Sequence, residues 1–326
     1  MRFNLGDYLE ATEAPHWLTH NSAWIYHIPL AAILIKMLRP RTFVELGTFR
    51  GDSYMAFCQA AAKIRTGTQC TAVDNWTGDA HAGFYGPEIL RELKATHDPL
   101  YGSFSRLLRA EFPNALPQFA ENSIDLLHID GHHTYEAVKQ DFEQWLPKLS
   151  NRAVVLFHDT QVRERDFGVW KLWEELTAKY PHFNIPYGCG LGMLAVGRDV
   201  PRNFVDFLCE FRGDDGAAIV TQMQTLGIRI ELSRTVMALV NDLHNSQTVL
   251  NDWRKWNGQP VIQTTPDVKA AWTNPRQYSM AVTNQTRDMV VESLLMRQNA
   301  VALENQLAAR IGVVREVVVR AQATGV

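Results

Sequence analysis

Four short runs of this chain, TFVEL (42–46), TAVD (71–74), IDLLHID (124–130) and AVVLFHD (153–159), are apolar almost without interruption. Between them lie segments with helical spacing. In 52–65, Tyr54, Phe57, Cys58 and Ala61 share one face; in 134–149, Val138, Phe142 and Trp145 form one stripe. A strand that is apolar on both faces must be covered on both, and strands that alternate with helices form parallel crossovers. The chain is therefore predicted to be α/β, with a parallel sheet between two helical layers. HFNIP (182–186) and GMLAVG (192–197) are joined only by YGCGLG, too tightly for a crossover helix. They must pair antiparallel, at one edge of the sheet. SRLLR (105–109) supplies one more strand, and further helices are expected over 23–38, 87–96, 113–120 and 167–180.

After Arg198 the pattern changes. Residues 201–255 read as helical, 256–286 as irregular, and 287–322 as one long helix. In that last helix Leu303, Leu307, Ile311, Val314 and Val318 form a stripe. It suits a coiled-coil seam joining a homo-oligomer as well as packing onto the chain's own domain. Two regions result, 1–198 and a mostly helical 199–326. A net charge of −3 argues against a nucleic-acid partner. Cys58, Cys70, Cys189 and Cys209 lie far apart with no CxxC pair, which excludes a zinc knuckle or disulfide scaffold and suits a reducing, cytoplasmic setting. MRFNLGDYLE has no apolar signal-peptide core. The most apolar stretch, Ile28 to Leu38, is too short to span a bilayer, so no transmembrane segment is expected.

In an open parallel sheet, ligands bind beyond the carboxyl ends of the strands. The first such end is VELGTFRG (44–51), where Gly47 and Gly51 allow a tight turn before a helix start. It lacks the second close glycine of a dinucleotide loop, and Glu45 before the turn suits a ligand with a positive charge. The second end carries Asp74, placed where an acid commonly holds ribose hydroxyls. Asp130 closes the third strand, and His158 with Asp159 closes the fourth. Neighbouring strands lie about 5 Å apart, so these side chains can meet on one divalent cation, Mg²⁺ or Mn²⁺. His132 and His133 stand close enough to bind the ion or to act as base. Trp24, His27, Trp76, His81, Phe84 and Tyr85 also lie near strand ends. Trp24 reads as core, whereas the glycine-punctuated loop 76–86 reads as a mobile cover for a sugar ring. Trp170 and Trp173 read as core.

Together, FVELGTFRGDSY, AVDNWTGD, SIDLLHIDGHHTYEAVKQDFEQWLPKL and RAVVLFHDT resemble class I S-adenosylmethionine-dependent methyltransferases. More narrowly they resemble the bacterial metal-dependent O-methyltransferases related to macrolide-sugar and catechol enzymes. The resemblance covers residues 20–198. It implies a Rossmann-like seven-stranded sheet of order 3-2-1-4-5-7-6 with the seventh strand antiparallel. It implies that Glu45, Gly47 and Gly51, with Thr48 and Ser53, surround the methionine part of S-adenosylmethionine. Asp74 would take the ribose, and Asn75 and Trp76 the adenosine. Asp130, His158 and Asp159 would match the metal ligands, although this family usually carries Asp-Asn or Glu-Asp where His158-Asp159 stands. His133 would lie near the acceptor, a hydroxyl of a sugar, glycan or other small molecule. A different metal-dependent enzyme on this framework, hydroxylase-like or hydrolytic, is the competing reading, and a non-catalytic assembly module the third.

Overall fold

The computed structural model describes residues 3–19, 22–213 and 216–256. Two compact units divide the chain, Met1–Arg234 and Thr235–Val326. In chain order the first unit carries α1 (Ile28–Leu38), β1 (Thr42–Leu46), α2 (Asp52–Ile64), β2 (Gln69–Asp74), a small hairpin of β3 (Gly78–Asp79) and β4 (Gly83–Phe84), and α3 (Glu88–Tyr101). Then follow β5 (Ser105–Arg109), α4 (Phe112–Ala115), β6 (Ile124–Ile129), α5 (Tyr135–Trp145), β7 (Leu149–His158) and α6 (Val169–Thr177). Last come β8 (His182–Ile185), β9 (Leu191–Ala195) and α7 (Arg202–Arg212). A final helix, α8, spans Gly216–Trp256. Among the described residues no helix is long and apolar enough to cross a membrane.

Seven strands form one sheet in the order β5-β2-β1-β6-β7-β9-β8. With the separate β3–β4 hairpin left out of the count, this is the expected 3-2-1-4-5-7-6. β9 runs antiparallel to both neighbours, β7 and β8. Leu46 pairs with Val73 on one side and Ile129 on the other, and Ile129 pairs with Phe157. The carboxyl ends of β1, β2, β6 and β7 are thus level along one edge.

Both faces are buried, and the alternation of side chains sorts them. Phe43, Leu126, Val154 and Leu156 face the layer of α1, α2, α3 and α7. Val44, Leu127, Val155 and Phe157 face α4, α5 and α6. Phe204, Phe207, Leu208 and Phe211 of α7, with Ile219 and Met223 of α8, join the first layer. Packing therefore continues past the change of composition at residue 198. The stripe from Leu303 to Val318 lies outside the described residues.

Several elements differ in length from the sequence pattern, each for a local reason. α1 begins at Ile28 rather than 23, because residues 23–27 form turns ahead of it. The helix expected over 113–120 is one turn of α-helix followed by a 3₁₀ turn, Leu116–Gln118, in which Pro117 ends the α ladder. β7 starts at Leu149, four residues early, and Ser150 there bonds to Asp125.

Asp125 fastens the amino ends of three strands. Its Oδ2 accepts from Arg41 N (2.8 Å) and Nε (2.9 Å); Oδ1 accepts from Arg41 Nη2 (3.0 Å) and Ser150 Oγ (2.5 Å). Arg41 is largely exposed, so its charge is screened and the buried neutral donors carry most of the effect. Asp125→Ala should cost about 2–4 kcal/mol in urea unfolding. Burial pushes this carboxyl up, but bonds from Arg41 and Ser150 outweigh it and hold it below the usual range. A depressed folded-state value means the stabilisation is complete above the unfolded value near 3.9 and fades as pH falls below it. The gap between wild type and variant should therefore narrow below about pH 4.

Candidate functional site

The turn after β1 depends on Gly47. Its φ is +83°, and a Cβ there would lie 2.0 Å from the carbonyl oxygen of Asp130. The loops after β1 and β6 are therefore in backbone contact, at a separation only a glycine permits. Gly51, with φ +84°, caps the start of α2. Between them the turn is pinned from below by Asp74. Its Oδ2 accepts from Thr48 N and Phe49 N, each at 2.8 Å, and its Oδ1 accepts from Trp76 N at 2.6 Å. Burial pushes the Asp74 carboxyl up, and these three bonds draw it only part of the way back.

Beside this turn four ionisable side chains converge. His158 Nδ1 lies 3.3 Å from Asp130 Oδ1 and 3.4 Å from Asp159 Oδ1. His133 Nε2 lies 2.9 Å from Asp159 Oδ2 and 3.6 Å from Asp130 Oδ1. Asp159 adopts φ +61°, a left-handed conformation that non-glycine residues occupy at a cost and that collects at functional sites. Burial would raise both carboxyls, but the facing imidazoles reverse this. Asp130 sits well below the ordinary range, and Asp159 falls to about 2. Burial likewise opposes charge on the imidazoles, yet the carboxylates lift His133 to about 9 and His158 well above its usual value. One donor atom from each of Asp130, His133 and Asp159 lies within 4.8 Å of the others. Two carboxylate oxygens and an imidazole nitrogen at that spacing suit a divalent cation.

The turn and the acid cluster share one cleft of about 1580 Å³, its open mouth included. Gly47, Thr48, Gly51 and Ser53 line it together with Asp130, His133, His158 and Asp159. Several wall atoms are buried without a protein partner, among them Thr48 Oγ1, Ser22 Oγ, Trp24 Nε1 and His133 Nδ1. Buried polar atoms are nearly always bonded, so these are places where a polar ligand fits.

Other residues singled out in the sequence do not reach the wall. Glu45 is fully buried, with Oε2 2.8 Å from His128 Nδ1. Asp74 is occupied under the turn. Asn75 donates to Glu111 and accepts from Thr77 N. Trp76 is enclosed, and its indole N–H donates to Phe49 O at 2.9 Å. His132 turns away from the carboxylates, stacks on His81 at 4.7 Å and faces Asp79 at 3.6 Å. The 76–86 loop holds the β3–β4 hairpin. From it His81 packs against Phe167 at 4.5 Å and meets Asp166 at 2.6 Å, and Ala82 reaches the cleft. Trp24 is core and wall at once: it is buried against Phe57, yet it lines the cleft.

Trp17, Leu18 and Thr19 form a wall that the sequence pattern did not reveal. They are held by contacts 33 positions away in sequence. Asp52 accepts from Thr19 N (2.7 Å) and Oγ1 (2.5 Å), and Trp17 Nε1 donates to Arg50 O. Such contacts leave no local periodicity to read.

Residues 44–160 match a family described as a methyltransferase domain. The matched residues span β1 to the end of β7, and the sheet order is the Rossmann-like one that the sequence resemblance implied. The uncharacterized protein y4gI of Sinorhizobium fredii (strain NBRC 101917 / NGR234) is 54% identical over 186 residues. That alignment covers 57% of this chain and 20% of the relative, so the chain spans about a fifth of the relative's length. Among solved structures, the S-adenosylhomocysteine-bound methyltransferase PaMTH1 of Podospora anserina matches with a TM-score of 0.40 and 14% identity, over 52% of this chain and 76% of that one. The O-methyltransferase TomG of Streptomyces achromogenes, solved with S-adenosylmethionine, matches with a TM-score of 0.40 and 13% identity, over 55% and 82%.

The Gly47 contact can be tested against a neutral position. Gly67 also has a positive φ, +77°, but an added Cβ there meets nothing within 4 Å. Gly67→Ala should cost roughly 1 kcal/mol of backbone strain, whereas Gly47→Ala, which also drives two loops apart, should cost about 3 kcal/mol or more. Equal losses in thermal unfolding would show that the close approach is not what fixes this turn.

Proposed function

We propose that this cleft transfers a methyl group from S-adenosylmethionine to a hydroxyl of a sugar, glycan or other small-molecule acceptor, assisted by a divalent cation. One observation carries the reading: two carboxylates and two imidazoles converge beside a glycine turn in the same cleft. The donor carries its methyl on a sulfonium, so transfer is an in-line displacement by the acceptor oxygen. A cation beside that oxygen would supply Lewis-acid activation, which a hydroxyl needs at neutral pH.

The chain's own residues then divide the work. Gly47 and Gly51 give the turn its close-packed shape against the Asp130 loop and Leu93, and Thr48 and Ser53 offer hydroxyls to the donor from the cleft wall. Glu45 and Asp74, held by His128 and by the turn's own N–H groups, are proposed to support from behind the turn that meets its amino group and ribose. Asn75 and Trp76, bonded to Glu111 and Phe49, are proposed to shape the adenosine side in the same indirect way. Asp130 and Asp159 would hold the cation, with His158 as the third ligand. His133 Nε2 stands against the same carboxylates and is proposed to take the acceptor's proton; it is also placed to serve as a ligand. His132 is a weaker candidate base, because it faces Asp79. Trp17, Leu18 and Trp24 give the cleft an apolar wall that limits bulk water and suits the face of a sugar ring.

Asp130→Ala should lower turnover on the order of 100-fold or more, because it removes a cation ligand from the reacting centre. Affinity for S-adenosylhomocysteine, measured by calorimetry, should change less than about threefold, since a ligand's own contacts set its affinity. Parallel loss of both quantities would count against the metal assignment. Chelation by EDTA should likewise silence turnover in a panel of sugar acceptors, and Mg²⁺ or Mn²⁺ should restore it. Activity that persists through chelation would sink the metal-assisted reaction while leaving the donor site standing.

A further inference from the structure

Behind the acid cluster, His158 and the cleft-wall Trp24 back onto two buried histidines, His27 and His128, that the proposed chemistry does not use. Trp24, His27, His128 and His158 pack edge against face: ring centres are 5.5 Å apart for Trp24–His27 and 5.4 Å for Trp24–His128. The separations are 5.7 Å for His27–His158 and 6.5 Å for His128–His158. Each of the four leaves one ring nitrogen buried and unpartnered: Trp24 Nε1, His27 Nδ1, His128 Nε2 and His158 Nε2. Four such atoms on adjoining rings are far from the rule that buried polar groups are satisfied.

Their hydrogen-bonding roles can be worked out from the partners of the other nitrogens. His27 Nε2 lies 2.9 Å from the carbonyl of Gly188, so it carries the hydrogen and Nδ1 is an acceptor. His128 Nδ1 donates to Glu45 Oε2, which leaves Nε2 as an acceptor. The Trp24 indole is a donor only. When His158 Nδ1 is turned to a cation, its Nε2 carries the hydrogen and donates. The set is thus two donors and two acceptors, the complement of a single water molecule.

We infer that an enclosed water, bonded by Trp24, His27, His128 and His158, holds the inner nitrogen of His158 and orients this imidazole for the metal site. Glu45–His128 is then a positioning pair. It fixes the His128 tautomer, and its full burial, an arrangement that adds little stability by itself, acquires a reason. The inference rests on the proposed metal reading.

The test uses the whole chain. Mn²⁺ affinity is read by electron paramagnetic resonance and S-adenosylhomocysteine affinity by calorimetry, for wild type, His27→Phe and His128→Phe. Each variant removes one acceptor from the water. Mn²⁺ binding should weaken on the order of 10-fold, while homocysteine-product binding stays within about threefold, as expected for a residue that orients a ligand. Should His128→Phe fail to fold, because Glu45 loses its partner, His27→Phe decides. Unchanged Mn²⁺ affinity in a folded variant, or both affinities falling together, overturns the inference. A wild type that binds no Mn²⁺ overturns the metal reading itself, and is seen before any variant is measured. A crystal structure of the Mn²⁺-bound protein should also show one ordered water within reach of all four nitrogens, and an empty space there would refute it.

Discussion

The contact between Gly47 and the Asp130 carbonyl sets the scale of the whole site. Parallel pairing of Leu46 with Ile129 brings β1 and β6 to the same level, and Asp130 N extends the ladder by donating to Leu46 O at 2.8 Å. Any side chain at position 47 would force the two loops apart. The turn proposed to hold a donor and the carboxylate proposed to hold a cation are therefore joined by backbone, not by mobile side chains. Displacement chemistry loses rate steeply with misplacement of its partners, so a distance fixed by strands is more useful than one fixed by a loop.

The charges of the acid cluster follow a simple balance. With no cation, Asp130 and Asp159 are ionised and His133 and His158 are protonated, which sums to zero. A divalent cation with both imidazoles neutral also sums to zero. Exchange of two protons for one dication thus leaves the buried charge unchanged, and neither state places a net charge in a low-dielectric interior. An uncompensated pair of carboxylates would carry a large desolvation penalty. His158 therefore suits the site for the same reason that a carboxamide or a third acid would not provide: it can supply positive charge when no ion does.

Much of this was legible in the chain. The runs at 42–46, 124–130 and 153–159 are apolar on both faces, and such strands have no place except the middle of a covered sheet. Once the strands are placed, their last residues must share an edge, which is why Asp130, His158 and Asp159 could be grouped without coordinates. What failed to show lies in side-chain direction. Asp74 and Trp76 stand at a strand end as expected, but three backbone N–H groups claim the acid and Phe49 O claims the indole. His132 and His133 are neighbours in sequence, yet they meet different acids, one Asp79 and the other Asp159. The pairing of Thr19 with Asp52 joins segments that share no period, so no local pattern could announce it.

That last pairing also decides what the start of α2 can do. A helix start offers unsatisfied N–H groups and favours anions. Here a carboxylate of the chain itself, Asp52, already occupies the first turn and spends its oxygens on Thr19. An anionic donor group such as a pyrophosphate would meet this charge at close range, whereas a sulfonium-bearing amino acid, positive at sulfur and nitrogen, would not be repelled. The strap that Asp52 secures carries Trp17 and Leu18, which line the cleft together with the acid cluster. The same carboxylate therefore both disfavours a phosphate ligand at the turn and ties down the apolar wall, so charge selection and exclusion of water come from one residue.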